Sequence, residues 1–546
     1  MTQETLDLLL PQVIHSPEYY ENKYPSRNIS DKSIVTRFGP SPTGFMHIGG
    51  VYIAIIGKNL AITSEGVFFI RIEDTDQNRK VDGSDKHFRE TFQYFGIEAL
   101  EDSVTGKYGP YTQSDRVEIY KTFVKKLLEE GNAYPCFCTK DELNNDYLKQ
   151  KELKIDTGYY GRWAKCRHLP ESKIRENIEK DKSYVIRFKS NGRDDQVSFI
   201  DAIRGKISAR DNYNDVVILK SSSDTIQLPT YHLAHAVDDH LMRVNLVLRS
   251  EEWIPSVPLH MQLFSALGFE QIKYAHIAPL MKIDGESKRK LSKRKDPEAS
   301  VTYYMESGVP SESIRIYLKG LANSNLLDES PLVVMNAQLK LSKMSKSGAL
   351  IDMVKLDNVS ANFISTLSAG QILQHLLVWS SQFDQIVHDT INENLDYTLK
   401  VIDLDRFNNS KIRKDLTKWS DFIPLYGFLY PSLFTSVKYA DVLPDAISKE
   451  AVNSFCNTFV NQYSFSEGDN TEWFEEIKRI SASANFAINK KQFNSAPESF
   501  HGMIRESTQI LRLAITKRLS SPSLYEIMKL LGKTEVINRV KLFQTK

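Results

Sequence analysis

The stretch TRFGPSPTGFMHIGGVYIA (residues 36–54) decides how the N-terminal half of this chain folds. Residues 34–38 form a short, mainly apolar run, as in a buried strand. GPSPTG (39–44) has the composition of a tight turn. From His47 onward the apolar residues recur at helical spacing, and the pattern ends just before Gly66. A strand, a tight turn and a helix in this order predict the start of a parallel βαβ unit.

The same alternation returns further along the chain. VFFIRI (67–72) is predicted to be a second buried strand, and helix and strand patterns alternate again from residue 230 to a predicted strand at YAHIAPLM (274–281). The segment between these two parts, residues 110–225, is predicted to be an insertion that mixes helices and short strands. Residues beyond 360 have helical patterning. The chain is therefore predicted to be an α/β protein with an α+β insertion and an all-α C-terminal part.

Length and composition limit the possible classes of protein. With 546 residues, 41% of them hydrophobic and 25% charged, the chain is expected to form several domains. No stretch approaches the roughly 18 consecutive apolar residues of a membrane span, and the N-terminus lacks the features of a secretory or transit signal. We therefore expect a cytoplasmic protein without a membrane partner. The net charge of +1 neither indicates nor excludes a nucleic-acid partner.

The first motif has chemistry suited to a nucleotide. Glycines at the start of a helix let a ligand approach the backbone, and the free N–H groups there attract phosphate. An imidazole beside them, here that of His47, can donate to a phosphate whose charge grows during reaction. A short His-x-Gly string alone is more typical of a glycine-rich turn with a surface histidine than of a nucleotide site. The choice between the two therefore depends on the longer string.

The longer string, RFGPSPTGFMHIGG (37–50), resembles the HIGH segment of class I aminoacyl-tRNA synthetases, in the form typical of bacterial-type glutamyl-tRNA synthetases. Gly50 stands at the fourth HIGH position, where a small residue is usual in this family. Three further segments resemble the same family in the same order: FFIRIEDTD (68–76), PTYHLAHAVDDHLMRVNLVLRSEEW (229–253) and KLSKR (290–294). The chain is accordingly identified as a member of that family.

The resemblance implies a Rossmann-type catalytic domain with an α+β insertion, followed by an all-α anticodon-binding domain. LRLAITKRLSSPSLYEIMKLLGK (511–533) resembles the end of that last domain, with Lys517 where glycine is common. The expected domains are an N-terminal extension (1–30), the first half of the catalytic domain (31–110), an inserted acceptor-binding domain (111–225), the second catalytic half (226–300), a stem-contact domain (301–375) and the anticodon-binding domain (376–546).

The resemblance also implies a reaction. Glutamate would attack the α-phosphate of Mg²⁺-ATP to give glutamyl-adenylate, and the terminal adenosine of tRNA(Glu) would then take the glutamyl group. Such catalysis depends on positioning and electrostatics. Whether tRNA(Gln) is a second substrate stays open, and a monomer is expected. The main non-enzymatic alternative is an RNA-binding protein, derived from a synthetase, that has lost catalysis.

Glutamate has two carboxylates and an ammonium, so its site needs two cations and an anion. Arginine suits carboxylates because its planar fork binds both oxygens. The residues expected at this site from the matched motifs are Arg37, Ser41, Glu73, Tyr231 and Arg249. Arg249 is expected to bind the side-chain carboxylate, and Glu73 the ammonium. His235 stands where the family usually has asparagine.

Two lysine-rich segments compete for the role of the catalytic loop. KLSKR (290–294) follows an apolar strand and a turn, whereas KMSKS (343–347) lies in a segment that resembles the family's stem-contact region. We assign the catalytic role to KLSKR; Lys343 and Lys346 either contact tRNA phosphate or are solvated. The predicted catalytic residues are His47, Lys290 and Lys293. The predicted ATP-binding residues are Gly39, His47, Gly49, Leu280, Met281, Lys293 and Arg294.

Cysteines and a histidine form two close pairs, Cys136/Cys138 and Cys166/His168. Such pairs suit tetrahedral zinc, and they resemble a zinc element of some bacterial glutamyl-tRNA synthetases. One structural Zn²⁺ is therefore predicted, with His168 or Tyr160 as the fourth ligand. The alternative is three reduced thiols beside an unrelated histidine.

Overall fold

The computed structural model describes the whole chain except residues 12, 80, 103, 405, 407–411, 465–467, 545 and 546. It divides into two compact units, one made of Met1–Met305 with Ile314–Met353 and the other of Glu306–Ser313 with Val354–Lys546. Every strand of the described residues belongs to the first unit. None of the helices in the described ranges is both long and apolar enough to cross a membrane.

The strands are β1 (Val35–Phe38), β2 (Val67–Ile70), β3 (Ala133–Cys136), β4 (Val185–Phe188), β5 (Gln196–Asp201), β6 (Gly205–Arg210), β7 (Val217–Leu219), β8 (Leu246–Ser250), β9 (Lys273–Ile277), β10 (Leu280–Asp284), β11 (Ser287–Lys290) and β12 (Ala349–Leu350). The helices up to residue 365 are α1 (Gln3–Leu9), α2 (Pro17–Lys23), α3 (Ile48–Thr63), α4 (Ser84–Tyr94), α5 (Val117–Glu129), α6 (Lys140–Glu152), α7 (Glu171–Glu179), α8 (Tyr231–Leu241), α9 (Val257–Leu267), α10 (Val301–Ser307), α11 (Ser311–Ala322), α12 (Pro331–Asn336) and α13 (Met353–Ser365). The later helices are α14 (Ala369–Phe383), α15 (Gln385–Asn392), α16 (Leu395–Asp403), α17 (Phe422–Tyr426), α18 (Pro431–Phe434), α19 (Lys449–Gln462), α20 (Asn470–Ser483), α21 (Lys490–Ser495), α22 (Ile504–Thr516) and α23 (Leu524–Gln544).

The predicted βαβ sheet is present in the first unit. β1 pairs with β2 in parallel, with Val35 opposite Val67, and helix α3 connects them. β8 pairs with β9 in parallel, with Leu246 opposite Lys273. The two pairs are linked where the backbone N–H of Asn245 donates to the carbonyl oxygen of Val35 at 3.1 Å. The predicted α/β class is confirmed, and the carboxyl ends of these strands point to one edge.

One strand prediction was wrong. The apolar run 274–281 is not a single strand but two, β9 and β10, separated at Ala278 and Pro279. Proline lacks the N–H that a ladder requires, so pairing in the main sheet stops there. β10 instead pairs antiparallel with β11 and parallel with β12 in a small second sheet.

The insertion contains the antiparallel sheet β3–β4–β7. Its core is shared with the N-terminal extension, since Leu6, Leu9, Tyr20 and Tyr24 are buried in the same hydrophobic cluster as residues of α5 and β4. A carboxylate anchors the start of α1, because Glu171 accepts the backbone N–H of Thr2 at 2.8 Å. The described residues between 1 and 30, whose role the sequence does not reveal, are thus part of the folded unit.

The second unit is helical, as predicted. Its helices are amphipathic and pack around buried side chains that include Phe455, Phe459, Ile477 and Ile510. Lys517 ends α22 in the left-handed conformation, with φ +57°. The domain boundaries expected from the sequence stay predictions.

Candidate active site

A cavity of about 430 Å³ opens at the carboxyl ends of β1, β2 and β8. Open parallel sheets bind ligands at this edge, because several strand ends meet there. The residues that surround the cavity include all five that the sequence predicts for glutamate binding, namely Arg37, Ser41, Glu73, Tyr231 and Arg249. Segments far apart in the sequence are therefore brought to one place.

Glu73 reaches the cavity because the residue opposite has no side chain. A Cβ on Gly39 would lie 2.3 Å from Glu73 Oε1, closer than any real contact allows. Glu73 is held from behind by Arg71, whose Nη2 donates to Glu73 Oε1 at 2.8 Å. Gly39 is thus required for the anion at this position, and any larger residue would push Glu73 aside.

Arg37 is buried beside a second carboxylate. Its Nε donates to Asp239 Oδ1 at 2.9 Å, and Arg71 Nη1 donates to the same oxygen at 2.6 Å. Burial opposes ionisation of Asp239, but the charges of Arg37 and Arg71 win and hold its pKa well below the ordinary value. The charge of Arg37 is therefore largely compensated within the protein.

His235, which stands where the family usually has asparagine, is bound to other buried side chains. His235 is fully buried, with Nδ1 2.6 Å from Asp239 Oδ2 and Nε2 3.0 Å from the hydroxyl oxygen of Tyr274. Both ring nitrogens have partners, and His235 does not line the cavity. His235 is hydrogen-bonded to Asp239 and does not enter the cavity. A histidine in place of the usual asparagine therefore leaves the residues around the cavity in position.

A second cavity, of about 280 Å³, adjoins the first. Ile53 and Ser250 line both. Four of the residues predicted for ATP or catalysis surround the second cavity, namely His47, Gly49, Leu280 and Lys290. Two adjoining cavities are the arrangement that a reaction between an amino acid and a nucleotide requires.

His47 caps helix α3. Its Nδ1 accepts the backbone N–H of Gly49 at 2.9 Å, so a proton on the neutral ring must sit on Nε2. Burial, reinforced by the nearby charge of Lys293, lowers the pKa of His47 below its ordinary value. The imidazole is therefore neutral at pH 7 and can donate a hydrogen bond from Nε2.

The KLSKR segment follows a hairpin of β10 and β11. Lys290 Nζ lies 2.9 Å from Glu252 Oε2, and Lys293 Nζ donates to the carbonyl oxygen of Phe45, in the turn before His47. Burial lowers the pKa of Lys293. Three predicted ATP-binding residues, Met281, Lys293 and Arg294, do not line the second cavity, and Gly39 lines the first one instead.

The competing KMSKS segment lies at the opposite edge of the small sheet. β12 follows it and pairs with β10, with Ala349 opposite Leu280. Lys346 Nζ donates to the carbonyl oxygen of Arg204 at 3.3 Å. Neither Lys343 nor Lys346 lines either cavity.

Known proteins resemble the whole chain. Residues 33–357 match the family model of the class I tRNA synthetase (E and Q) catalytic domain, and residues 492–543 match an anticodon binding domain. A glutamate–tRNA ligase of Clostridium beijerinckii is 40% identical and covers 99% of this chain and 99% of its own length. The chain belongs to the glutamate–tRNA ligase family. A solved glutamate tRNA ligase from Elizabethkingia meningosepticum, in complex with its amino acid, has a TM-score of 0.76 at 26% identity, and the match covers 94% of this chain and 100% of that one.

Membership in the glutamate–tRNA ligase family confirms the predicted recognition and enzyme class. It also confirms the predicted fold, a Rossmann-type catalytic domain followed by a helical anticodon-binding domain. As a class I synthetase the enzyme uses ATP with Mg²⁺, glutamate and tRNA.

The three predicted zinc-binding thiols lie together. The sulfur atoms of Cys136, Cys138 and Cys166 are within 4.8 Å of one another, and among the described residues no histidine or carboxylate joins this group. The hydroxyl of Tyr159 lies beside them, 3.4 Å from Cys136 Sγ and 3.3 Å from Cys138 Sγ. Neither predicted fourth ligand is placed there: His168 is outside the group, and Tyr160 donates to the carbonyl oxygen of Asp156 at 2.5 Å.

Sequence reasoning missed several residues around the first cavity. Thr75, Asp76 and Trp253 line it and fall within the matched motifs, but no role was given to them. Arg79 also lines it, with Nε 2.5 Å from Asp76 Oδ2. The available signal was their position at the ends of the motifs.

Proposed function

We propose that this chain joins L-glutamate to the 3′-terminal adenosine of tRNA(Glu) in two ATP-dependent steps at the two adjoining cavities. The observation that carries the proposal is their junction at Ile53 and Ser250, with the predicted glutamate residues on one side and His47 with Lys290 on the other. A glutamate in the first cavity can present its α-carboxylate to the α-phosphate of an ATP in the second.

In the first cavity, Arg249 binds the side-chain carboxylate and Arg37 the α-carboxylate through their planar forks. Glu73 binds the ammonium, while Ser41 and Tyr231 add hydrogen bonds. These groups fix the attacking oxygen, and such positioning supplies much of the rate enhancement when no covalent enzyme intermediate forms.

In the second cavity, the backbone N–H groups at the start of α3 and the neutral His47 donate to the phosphates. Lys290 and Lys293 neutralise the charge that develops as pyrophosphate departs. To do so, Lys290 must leave the carboxylate of Glu252 and bind phosphate oxygens. Lys293 must likewise leave the carbonyl oxygen of Phe45. Gly49 and Leu280 border the nucleotide; Gly39, Met281 and Arg294 complete the predicted set.

Aminoacylation kinetics with purified tRNA(Glu) test these roles. Arg249→Ala is expected to raise the KM for glutamate by about 100-fold or more, the loss of a charge-assisted bidentate pair. His47→Ala is expected to lower kcat by roughly 100-fold with the glutamate KM little changed. Arg175→Ala, which removes a surface ion pair with Glu4, is the control and should leave both constants unchanged. Unchanged kinetics in Arg249→Ala would contradict the assignment of the first cavity.

We also propose one structural Zn²⁺ held by Cys136, Cys138 and Cys166. Three clustered sulfurs are a suitable donor set, and the Tyr159 hydroxyl beside them is favoured as the fourth ligand over His168 or Tyr160. When bound, the ion would crosslink the end of β3 to the segment before α7, within the insertion. Metal analysis should find one zinc per chain, lost in Cys138→Ser, weakened in Tyr159→Phe and retained in His168→Ala. Protein purified without chelator that contains no zinc would contradict this proposal.

For the finer partners we propose tRNA(Glu) as the cognate substrate, a monomeric enzyme and a cytoplasmic location. Charging of purified tRNA(Glu) and tRNA(Gln) in parallel tests the first, since glutamate on both would show a wider specificity. Light scattering after size exclusion should give the chain mass of 62.5 kDa. Fractionation of the source cell tests the location.

A further inference from the structure

Arg249 is surrounded by neutral partners. Its Nε lies 3.0 Å from Nε2 of His276, the residue directly opposite it on strand β9, and its Nη1 lies 3.2 Å from Nδ1 of His260. Nη1 is also 3.3 Å from the Tyr231 hydroxyl, and the guanidinium carbon lies 4.6 Å from the centre of the Tyr274 ring. Both histidines are fully buried.

A buried carboxylate fixes the proton on His276. Asp201 Oδ2 lies 2.7 Å from His276 Nδ1, and the same oxygen accepts the backbone N–H of His276 at 3.0 Å. Asp201 Oδ1 accepts the N–H groups of Ile203 and Arg204 at 2.9 and 2.8 Å. Because this carboxylate only accepts, His276 carries its proton on Nδ1 and presents a lone pair on Nε2 to Arg249.

His260 also presents a lone pair to Arg249, but from its other ring nitrogen, Nδ1. Its Nε2 lies 3.0 Å from Nδ1 of His232, so a proton on Nε2 can donate there while Nδ1 accepts from Arg249. Burial, together with the charge of Arg249, favours the neutral form of each ring, and the pKa values of His260 and His276 are both lowered. Two imidazoles thus hold the guanidinium without supplying a negative charge.

Three other buried arginines of this unit pair with a carboxylate, whereas buried Arg187 donates to the backbone carbonyl oxygen of Asp215. Arg37 and Arg71 each pair with Asp239, and Arg116 pairs with Asp238. Arg249 forms no ion pair with any carboxylate in the part of the chain that the structure describes. Its charge is therefore not directly paired at the cavity, where it can attract an incoming anion.

We infer that His276 and His260 are positioning residues that orient the Arg249 fork through neutral acceptors and so reserve its charge for the side-chain carboxylate of glutamate. This inference rests on the proposed role of Arg249. A carboxylate at either position would orient the fork equally well, but it would compensate the charge and weaken selection of glutamate over the neutral glutamine.

Two matched pairs of variants separate orientation from charge. His260→Gln and His260→Glu both keep an acceptor near Arg249, and only the second adds a negative charge. His276→Gln keeps an acceptor, whereas His276→Leu removes it. For each variant, kcat, the KM values for glutamate and ATP, and the inhibition constant of glutamine as a competitor are measured by aminoacylation of tRNA(Glu). His15→Gln, at a surface pair with Glu118, controls for loss of a histidine.

The glutamate KM of His260→Glu is expected to exceed that of His260→Gln by about 30-fold, while the glutamine constant stays within about threefold because an amide carries no charge. His276→Leu should raise the glutamate KM by roughly tenfold over His276→Gln, with kcat and the ATP KM nearly unchanged. Equal glutamate KM values within each pair, or parallel changes in all constants, would overturn the inference. If Arg249→Ala itself left the glutamate KM unchanged, the proposed function of that arginine would fail instead.

Discussion

Arg37 and Asp239 form a buried ion pair at the first cavity, with 2.9 Å between Arg37 Nε and Asp239 Oδ1. Asp239 also accepts from Arg71 and lies against His235, so one carboxylate serves three basic side chains. Burying charges is costly, and the cost is offset only while each charge keeps its partners. The floor of the active site therefore depends on this carboxylate.

Replacing Asp239 with asparagine should destabilise the first unit strongly. Two arginines would be left buried with too little negative charge, and breaking such a pair costs about 3–5 kcal/mol. Denaturant unfolding followed by circular dichroism measures the effect. Glu176→Gln, which removes surface pairs with Lys173 and Lys180, is the control and should leave the midpoint unchanged. A midpoint of Asp239→Asn equal to that of the control would contradict the account of the buried cluster.

The buried histidines predict how stability depends on pH. Burial lowers the pKa of His232 and of His235 to about 4 from an ordinary value of 6.5. The unfolded chain therefore binds more protons between these values, so this stability is complete above pH 6.5 and is lost as the pH falls toward 4. The loss amounts to roughly 3 kcal/mol for each histidine.

Unfolding midpoints at pH 7 and pH 5 measure this dependence. The double variant His232→Asn/His235→Asn should show a clearly smaller difference between the two pH values than the unmodified protein. Identical differences in both proteins would mean that these two rings do not govern the acid sensitivity.

Much of the active site could be predicted, because it lies in continuous motifs. Arg37, Glu73 and Arg249 sit at the ends of strands whose apolar runs are visible in the sequence, and the parallel sheet brings those ends together. The neutral neighbours of Arg249 could not be predicted in this way. His276 faces it only because of the register between β8 and β9, and the broken run 274–281 gave no sign of that register.

The cluster of three cysteines shows a similar limit. The spacing of the cysteines predicted the three thiols, but it could not tell which neighbouring tyrosine points at them. Tyr159 and Tyr160 are adjacent, and the backbone before the short turn at Gly161–Trp163 directs only Tyr159 toward the sulfurs.

The two lysine segments should differ in their effect on chemistry. Lys293→Ala is expected to lower kcat by about 100-fold or more, because a cation that stabilises the departing pyrophosphate acts in the transition state. Lys346→Ala should leave kcat nearly unchanged, since the Lys346 ammonium is bound to the carbonyl oxygen of Arg204, whereas that of Lys293 reaches the turn before His47. Steady-state aminoacylation at saturating substrates compares the two. A larger loss of kcat in Lys346→Ala would reassign the catalytic loop to KMSKS.

The hydrogen bonds of the Lys517 side chain explain why a lysine stands where glycine is usual. It adopts a left-handed conformation at φ +57°, and its ammonium donates to the carbonyl oxygens of Phe434 and, at 2.6 Å, Val437. Lys517→Met keeps the backbone strain but loses the donors, so it should destabilise the second unit by about 2 kcal/mol or more. Thermal unfolding measures this, with the exposed Lys533→Met as control. Equal melting temperatures for the two variants would rule out stabilisation of the second unit by the hydrogen bonds of Lys517.

All the residue roles assigned above depend on one activity, the attachment of glutamate to tRNA. The most direct test incubates the purified chain with radiolabelled glutamate, Mg²⁺-ATP and purified tRNA(Glu), with labelled glutamine in a parallel reaction. We expect label on the tRNA with glutamate only, dependent on ATP and abolished by periodate oxidation of the terminal ribose. Folded protein that transfers no glutamate under these conditions would contradict that activity.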